Sequence, residues 1–186
     1  MMTRAILLVD DEENDVFFFQ RAMNKAGMTN TLQIVHDGQS AIDYLNGAAQ
    51  FTNRLQFPLP GLVLLDLKLP LVMGLDVLKW IRQRPELGVI VIILSSSREQ
   101  QDVGAAYRLG ANAYLVKPTD TSKLGEMARA IHDFWLTQNT PPPDSEPGFV
   151  LETRATPHLR PLPEYRSPSI AHSLAPSPSK SLRNDI

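Results

Sequence analysis

The chain has 186 residues, with 18 Lys and Arg against 20 Asp and Glu, and no cysteine. That length suits one domain with some chain to spare, and a formal net charge of −2 argues against a nucleic-acid-binding surface spread over the whole protein. Without cysteine there are no disulfides, no thiol catalysis and no cysteine-ligated zinc, a composition compatible with a reducing cytoplasm.

Met1 leads into one short apolar run, Ala5 to Val9, before acidic residues begin. This is too short for a membrane span and lacks the form of a signal peptide, so the expectation is a soluble cytoplasmic chain with no membrane insertion. The run reads as a buried strand. Asp10, Asp11 and Glu12 follow at its carboxyl end, where like charges are unfavourable unless a cation or solvent relieves them. One of them could instead cap the helix that starts near Asn14. That helix spans 14 to 27, with Gly27 placed to stop it. Phe17, Phe18 and Phe19 are too dense for a single stripe, so at least one ring should lie near the surface.

Thr31 to Val35 reads as a short strand, and Gln39 to Asn46 as a helix with Ala41, Ile42 and Leu45 inward. His36 is isolated from any second metal-ligating type, which favours a structural or exposed role. Residues 47 to 61 carry two prolines and no clear period, which predicts a long surface loop.

Leu62 to Leu65 is apolar without alternation, as in a strand buried on both faces of a parallel sheet. Asp66 follows it at once, and Pro70 and Gly74 punctuate the loop before an amphipathic helix from Leu75 to Arg84. Val89 to Leu94 is a β-branched strand ending in Ser95, Ser96 and Ser97; a helix follows from Gln100 to Leu109. Ala113 to Val116 leads into Lys117-Pro118, and a proline restricts the residue before it, so this lysine is aimed; the bland alternative is a solvated cation. The last helix runs from Ser122 to Leu136.

Five strand–helix units in strict alternation predict an α/β fold with a parallel sheet and right-handed crossovers. Ligands of such sheets bind outside the carboxyl ends of the strands. Those ends carry Asp10 and Asp11, Asp66, Ser95 and Lys117. If the first and third strands are neighbours, their carboxylates meet, and clustered hard oxygens suit magnesium better than zinc or copper. With strands spaced by roughly 4.8 Å, Lys117 starts about 10 Å from Asp66, with Ser95 between. A metal, an ammonium and a hydroxyl around a carboxylate are what a phosphoryl group transferring to that carboxylate requires.

Val9-Asp-Asp-Glu12, Asp66 within Leu64-Leu-Asp-Leu-Lys-Leu-Pro70, Gly74, Ser95 and Lys117-Pro118 resemble the receiver domain of two-component response regulators over about residues 4 to 137. The resemblance implies a flavodoxin-like (βα)5 sheet of order 2-1-3-4-5, the order of a chemotaxis receiver. It implies that Asp66 accepts a phosphoryl group from a sensor histidine kinase, and that the chain is a phosphoacceptor with slow self-dephosphorylation, not a turnover enzyme. It further implies Mg2+ held directly by Asp11 and Asp66, by Asp10 mainly through water, and by the Lys68 backbone carbonyl. Ser95 would bind a phosphoryl oxygen, Lys117 would pair with it, and Tyr114 would be the aromatic switch that turns inward as Ser95 moves. The acidic motif and the long loop before Leu62 are similar to small single-domain regulators of phytochrome-type kinases. Met73 departs from the family, which often has a polar residue there.

Residues 1–139 thus form the expected domain. From 140 to 186 the chain holds ten of its fifteen prolines and seven serines, which predicts a disordered tail with no helix-turn-helix and no P-x-x-P. Phe149-Val-Leu151 is its one apolar clump. The expected partners are the kinase and an unspecified downstream protein, with a homodimer possible and no direct DNA binding. Two other functions fit less well. A phosphorelay carrier would pass the group on to a histidine phosphotransfer protein. An aspartate-nucleophile phosphatase would want an acid where Lys68 stands.

Overall fold

The computed structural model describes residues 5–140. The tail and its Phe149-Val-Leu151 clump lie outside the described residues. Five strands, β1 (Ala5–Val9), β2 (Leu32–Val35), β3 (Pro60–Leu65), β4 (Ile90–Ser95) and β5 (Ala113–Val116), form one parallel sheet in the order β2-β1-β3-β4-β5. The flavodoxin-like order predicted above is the one observed. Helices α1 (Glu13–Lys25), α2 (Gly38–Asn46), α3 (Gly74–Arg82), α4 (Gln100–Arg108) and α5 (Thr121–Ile131) follow the strands in turn, and a π-helical stretch, His132–Gln138, prolongs α5.

The unbroken apolar runs are explained by burial on both faces. Leu7, Val9, Val63, Leu65, Val91 and Ile93 point to the side of α2 and α3. Ile6, Leu8, Leu62, Leu64, Ile92 and Leu94 point to the side of α1 and α5. Successive strand residues face opposite ways, so a strand covered on both sides has no position for a polar side chain. The phenylalanine triplet divides as its density required: Phe19 is buried and Phe17 exposed.

Residues 47–61 differ from the plain surface loop that their composition suggested. A short 3-10 turn, Ala49–Phe51, puts Phe51 against Tyr44 at 5.1 Å between ring centroids, and Phe57 packs edge-on to Phe51 at 5.2 Å. Tyr44, absent from the inward residues expected for α2, is fully buried, and its hydroxyl donates to the Pro58 carbonyl at 2.8 Å. Burial pushes that phenol up to about 12. Arg54 folds back to donate to the carbonyls of Tyr44 and Leu45 at 2.7 and 2.9 Å, closing the end of α2 beyond Gly47, whose φ is +67°. A side-chain cation does here what a longer helix would otherwise do.

At the amino edge of the sheet, Arg82 joins three elements. Its guanidinium donates to the Gly110 carbonyl at 2.7 Å, to the Val89 carbonyl at 3.2 Å and to Asn112 Oδ1 at 2.7 Å. Asn112 Oδ1 also accepts from the Val91 amide at 2.8 Å, which fixes the starts of β4 and β5.

Candidate functional site at the carboxyl edge

Because β1 and β3 are adjacent and in register at Val9 and Leu65, the residues that follow them, Asp10 and Asp66, emerge side by side. The ladder continues one step past the strands: the Asp66 amide donates to the Val9 carbonyl at 3.0 Å, and the Asp10 amide to the Val35 carbonyl at 3.1 Å. Both carboxylates are buried, Asp10 at 2% and Asp66 at 6% exposure. Asp11, next in the chain, is exposed. Oxygens of Asp10, Asp11 and Asp66 nevertheless lie within 4.8 Å of one another. None of the acids caps α1 with its side chain: Glu12 occupies the N-cap position without such a bond, and Asp10 Oδ1 accepts from the Glu12 amide at 3.2 Å. His36 is exposed, and its Nδ1 meets the Asp10 carbonyl at 2.9 Å, a structural contact.

Asp66 is held from two sides. Its Oδ1 accepts from the Leu67 amide and from the Lys68 amide at 3.3 Å, while Oδ2 faces Lys117 Nζ at 2.6 Å. The Lys68 side chain is exposed, so this residue approaches Asp66 through its backbone. The loop beyond is clamped by two glycines. A Cβ on Gly74 would lie 2.0 Å from the Asp66 carbonyl oxygen, and one on Gly38 would lie 2.0 Å from that of Val72. Met73, the departure noted in the sequence, is about half exposed at the mouth of this loop.

The Lys117 side chain is 10% exposed and reaches across from the end of β5 to the carboxylates at the ends of β1 and β3. Its ammonium contacts Asp66 at 2.6 Å, Asp10 at 2.7 Å and Asp15 at 2.8 Å. The described peptide bonds are all trans, that of Lys117-Pro118 included. Burial works against the ammonium's charge, but the bonds to Asp10, Asp15 and Asp66 outweigh it and hold its pKa above the ordinary lysine range. Burial raises the Asp10 carboxyl above its usual range even with that lysine beside it. Asp10, Asp15 and Asp66 thus crowd around one ammonium, with Asp11 beside Asp10 and Asp66. Asp15 was missed in the sequence. It stands in the first turn of α1, away from any strand end, and its acidic character reads there as helix-dipole compensation.

Ser95 is fully buried at the end of β4, and its Oγ is 3.4 Å from the Ser97 amide. Tyr114 is half-buried on β5, with its hydroxyl donating to the Ser97 carbonyl at 3.0 Å; burial raises that phenol. The Ser97 hydroxyl donates in turn to Asp102 of α4. Ser95, Ser97, Asp102 and Tyr114 therefore connect the pocket to α4 and β5. A cavity of about 260 Å³ opens beside Lys117, lined by Asp15, Phe18, Phe19, Leu94 and Leu124 among others.

Hard carboxylate oxygens, one of them exposed, fit a divalent cation that keeps water in its shell. Comparison with known proteins agrees with this chemistry. The profile described as "Response regulator receiver domain" matches residues 6–129. Response regulator Rcp1 of Synechocystis sp. is 36% identical over 140 residues, covering 75% of this chain and 93% of that protein. The crystal structure of the Mn(2+)-bound form of Rcp1 superposes with a TM-score of 0.69 at 35% identity, covering 75% of this chain and 99% of the chain in that crystal structure. The phosphorylated cyanobacterial phytochrome response regulator RcpA superposes with a TM-score of 0.71 at 32% identity, covering 76% of this chain and all of RcpA.

Proposed function

The chain belongs to the response regulator receiver domain family, and from that premise we propose that Asp66 is the phosphoacceptor of a switch paired with a sensor histidine kinase of phytochrome type. The observation that carries this reading is the convergence on Asp66 of backbone amides and Lys117, beside two further carboxylates.

A carboxylate oxygen of Asp66 attacks phosphorus of a phosphohistidine. The new P–O bond forms as the P–N bond breaks, and the imidazole nitrogen leaves with the electron pair. Asp11 and Asp66, with Asp10 through water and the Lys68 carbonyl, would hold Mg2+, which when bound neutralises charge on the phosphoryl oxygens. Lys117 supplies a second positive charge at the same place, and Ser95 a hydroxyl for a phosphoryl oxygen. The amides of Leu67 and Lys68 keep the Asp66 carboxylate oriented. Tyr114 reports the event: movement of Ser95 alters the Ser97 carbonyl on which its hydroxyl rests, and α4 feels the change through Asp102. The output is then a changed protein-binding surface on α4 and β5 of a receiver domain that spans residues 1–139.

Intact-protein mass after incubation with acetyl phosphate and Mg2+ tests this. Wild type gains one phosphoryl mass, dependent on Mg2+, and Asp66→Asn gains none. A gain retained by Asp66→Asn, or none in wild type with either acetyl phosphate or a phosphorylated phytochrome-type kinase, overturns the assignment.

A further inference from the structure

An ammonium has three N–H donors, and all three on Lys117 are taken by carboxylates from different parts of the fold. Asp10 follows β1, Asp66 follows β3, and Asp15 belongs to α1. Asp10 and Asp66 also belong to the oxygen cluster with Asp11; Asp15 does not. The three partners therefore differ in what happens to them when a divalent cation enters. Asp10 and Asp66 would turn their oxygens toward a doubly positive ion, and Lys117 would be repelled from it. Asp15 remains available. It is held by the first turn of a helix and is 45% exposed, on the outer side of the ammonium.

We propose that Asp15 is a positioning residue that draws Lys117 out of the metal-binding carboxylates, giving the ammonium a place to retreat when a divalent cation occupies Asp10, Asp11 and Asp66. This rests on the metal-binding reading above. Asp15 touches neither the ion nor Asp66; it acts through Lys117. Without it, the lysine holds Asp10 and Asp66 more tightly and competes with the cation for their oxygens. The same retreat leaves the ammonium on the open side of the pocket, where an arriving phosphoryl group can recapture it.

The test measures Mn2+ affinity of the full chain by the electron paramagnetic resonance of the free ion. It compares wild type, Asp15→Asn, Asp15→Glu and Glu13→Gln, each with Lys117 intact and in a Lys117→Met background. Glu13→Gln removes the same charge from the same helical turn, at an exposed residue. Asp15→Asn weakens Mn2+ binding about fivefold beyond Glu13→Gln, a coupling ordinary for groups in direct contact. Asp15→Glu retains the wild-type affinity, and in the Lys117→Met background the excess disappears. If Asp15→Asn matches Glu13→Gln, or its excess persists without the lysine, Asp15 acts only as background charge and the proposal falls while the metal site stands. Absence of Mn2+ binding by wild type overturns both.

Discussion

The two ends of the sheet each gather strand ends around one cation, half-buried at the amino edge and 10% exposed at the carboxyl edge, with opposite results. At the amino edge Arg82 meets, among the described residues, neutral acceptors: the carbonyls of Gly110 and Val89 and the amide oxygen of Asn112, contacts of local architecture. At the carboxyl edge Lys117 meets carboxylates alone, three of them within 2.8 Å. Hydrogen bonding to neutral groups closes a site, because nothing is left over. An excess of anions leaves a site hungry for positive charge, and that hunger is the binding capacity.

The largest expected effect comes from Gly74→Ala, which asks whether the carboxyl edge tolerates any new atom. Its Cβ would meet backbone at 2.0 Å, with no flexible side chain to yield. We expect a loss of about 3 kcal/mol in urea unfolding, near the upper end for overpacking. Uptake of phosphate from acetyl phosphate should fall with it, because the displaced atoms are those of Asp66 itself. Arg82→Met, at the opposite edge, should cost about 2 kcal/mol, the range for lost hydrogen bonds to a charged donor and the carbonyls left behind. If the edges are functionally separate, acetyl-phosphate labelling of the folded variant should match wild type; a changed labelling rate would break the comparison.

The smallest effect has the opposite sign. The folded-state pKa of Asp10 is raised above its ordinary 3.8, so ionising it costs the native state stability, a cost absent below about pH 4 and present above the raised pKa. Asp10→Asn removes that cost. Its thermal midpoint at pH 7 in chelator should exceed that of wild type by a few degrees, and the gap should close in acid. A midpoint below wild type at pH 7 would mean that the Lys117 pair outweighs burial.

The strand ends were legible because a parallel sheet converts sequence order into position: an acid, a hydroxyl or a lysine just past an apolar run must emerge at one edge. Asp10, Asp66, Ser95 and Lys117 were found that way. Asp15 was not, because on a helix no periodicity distinguishes a residue that reaches a lysine 102 positions away from one that faces water. Arg54 and Arg82 were equally invisible. Both bind carbonyl oxygens, which every residue has, so their partners leave no mark in the sequence. Phe51 and Phe57 were hidden in a segment without period, where burial comes from three aromatic rings packing on each other.

The position of Lys117 just past the last strand has a consequence for biosynthesis. Asp10, Asp15 and Asp66 are translated long before it, and the backbone ladder between β1 and β3 contains no residue of the last strand. A nascent chain that buries Asp10 and Asp66 early would strand two carboxylates in a low-dielectric interior with no counter-ion. Completing the carboxyl edge therefore waits for β5 to dock beside β4, where the Lys117 amide bonds to the Ser95 carbonyl at 2.9 Å and its ammonium reaches the acids. Closure of the fold and completion of the pocket thus depend on the same residue.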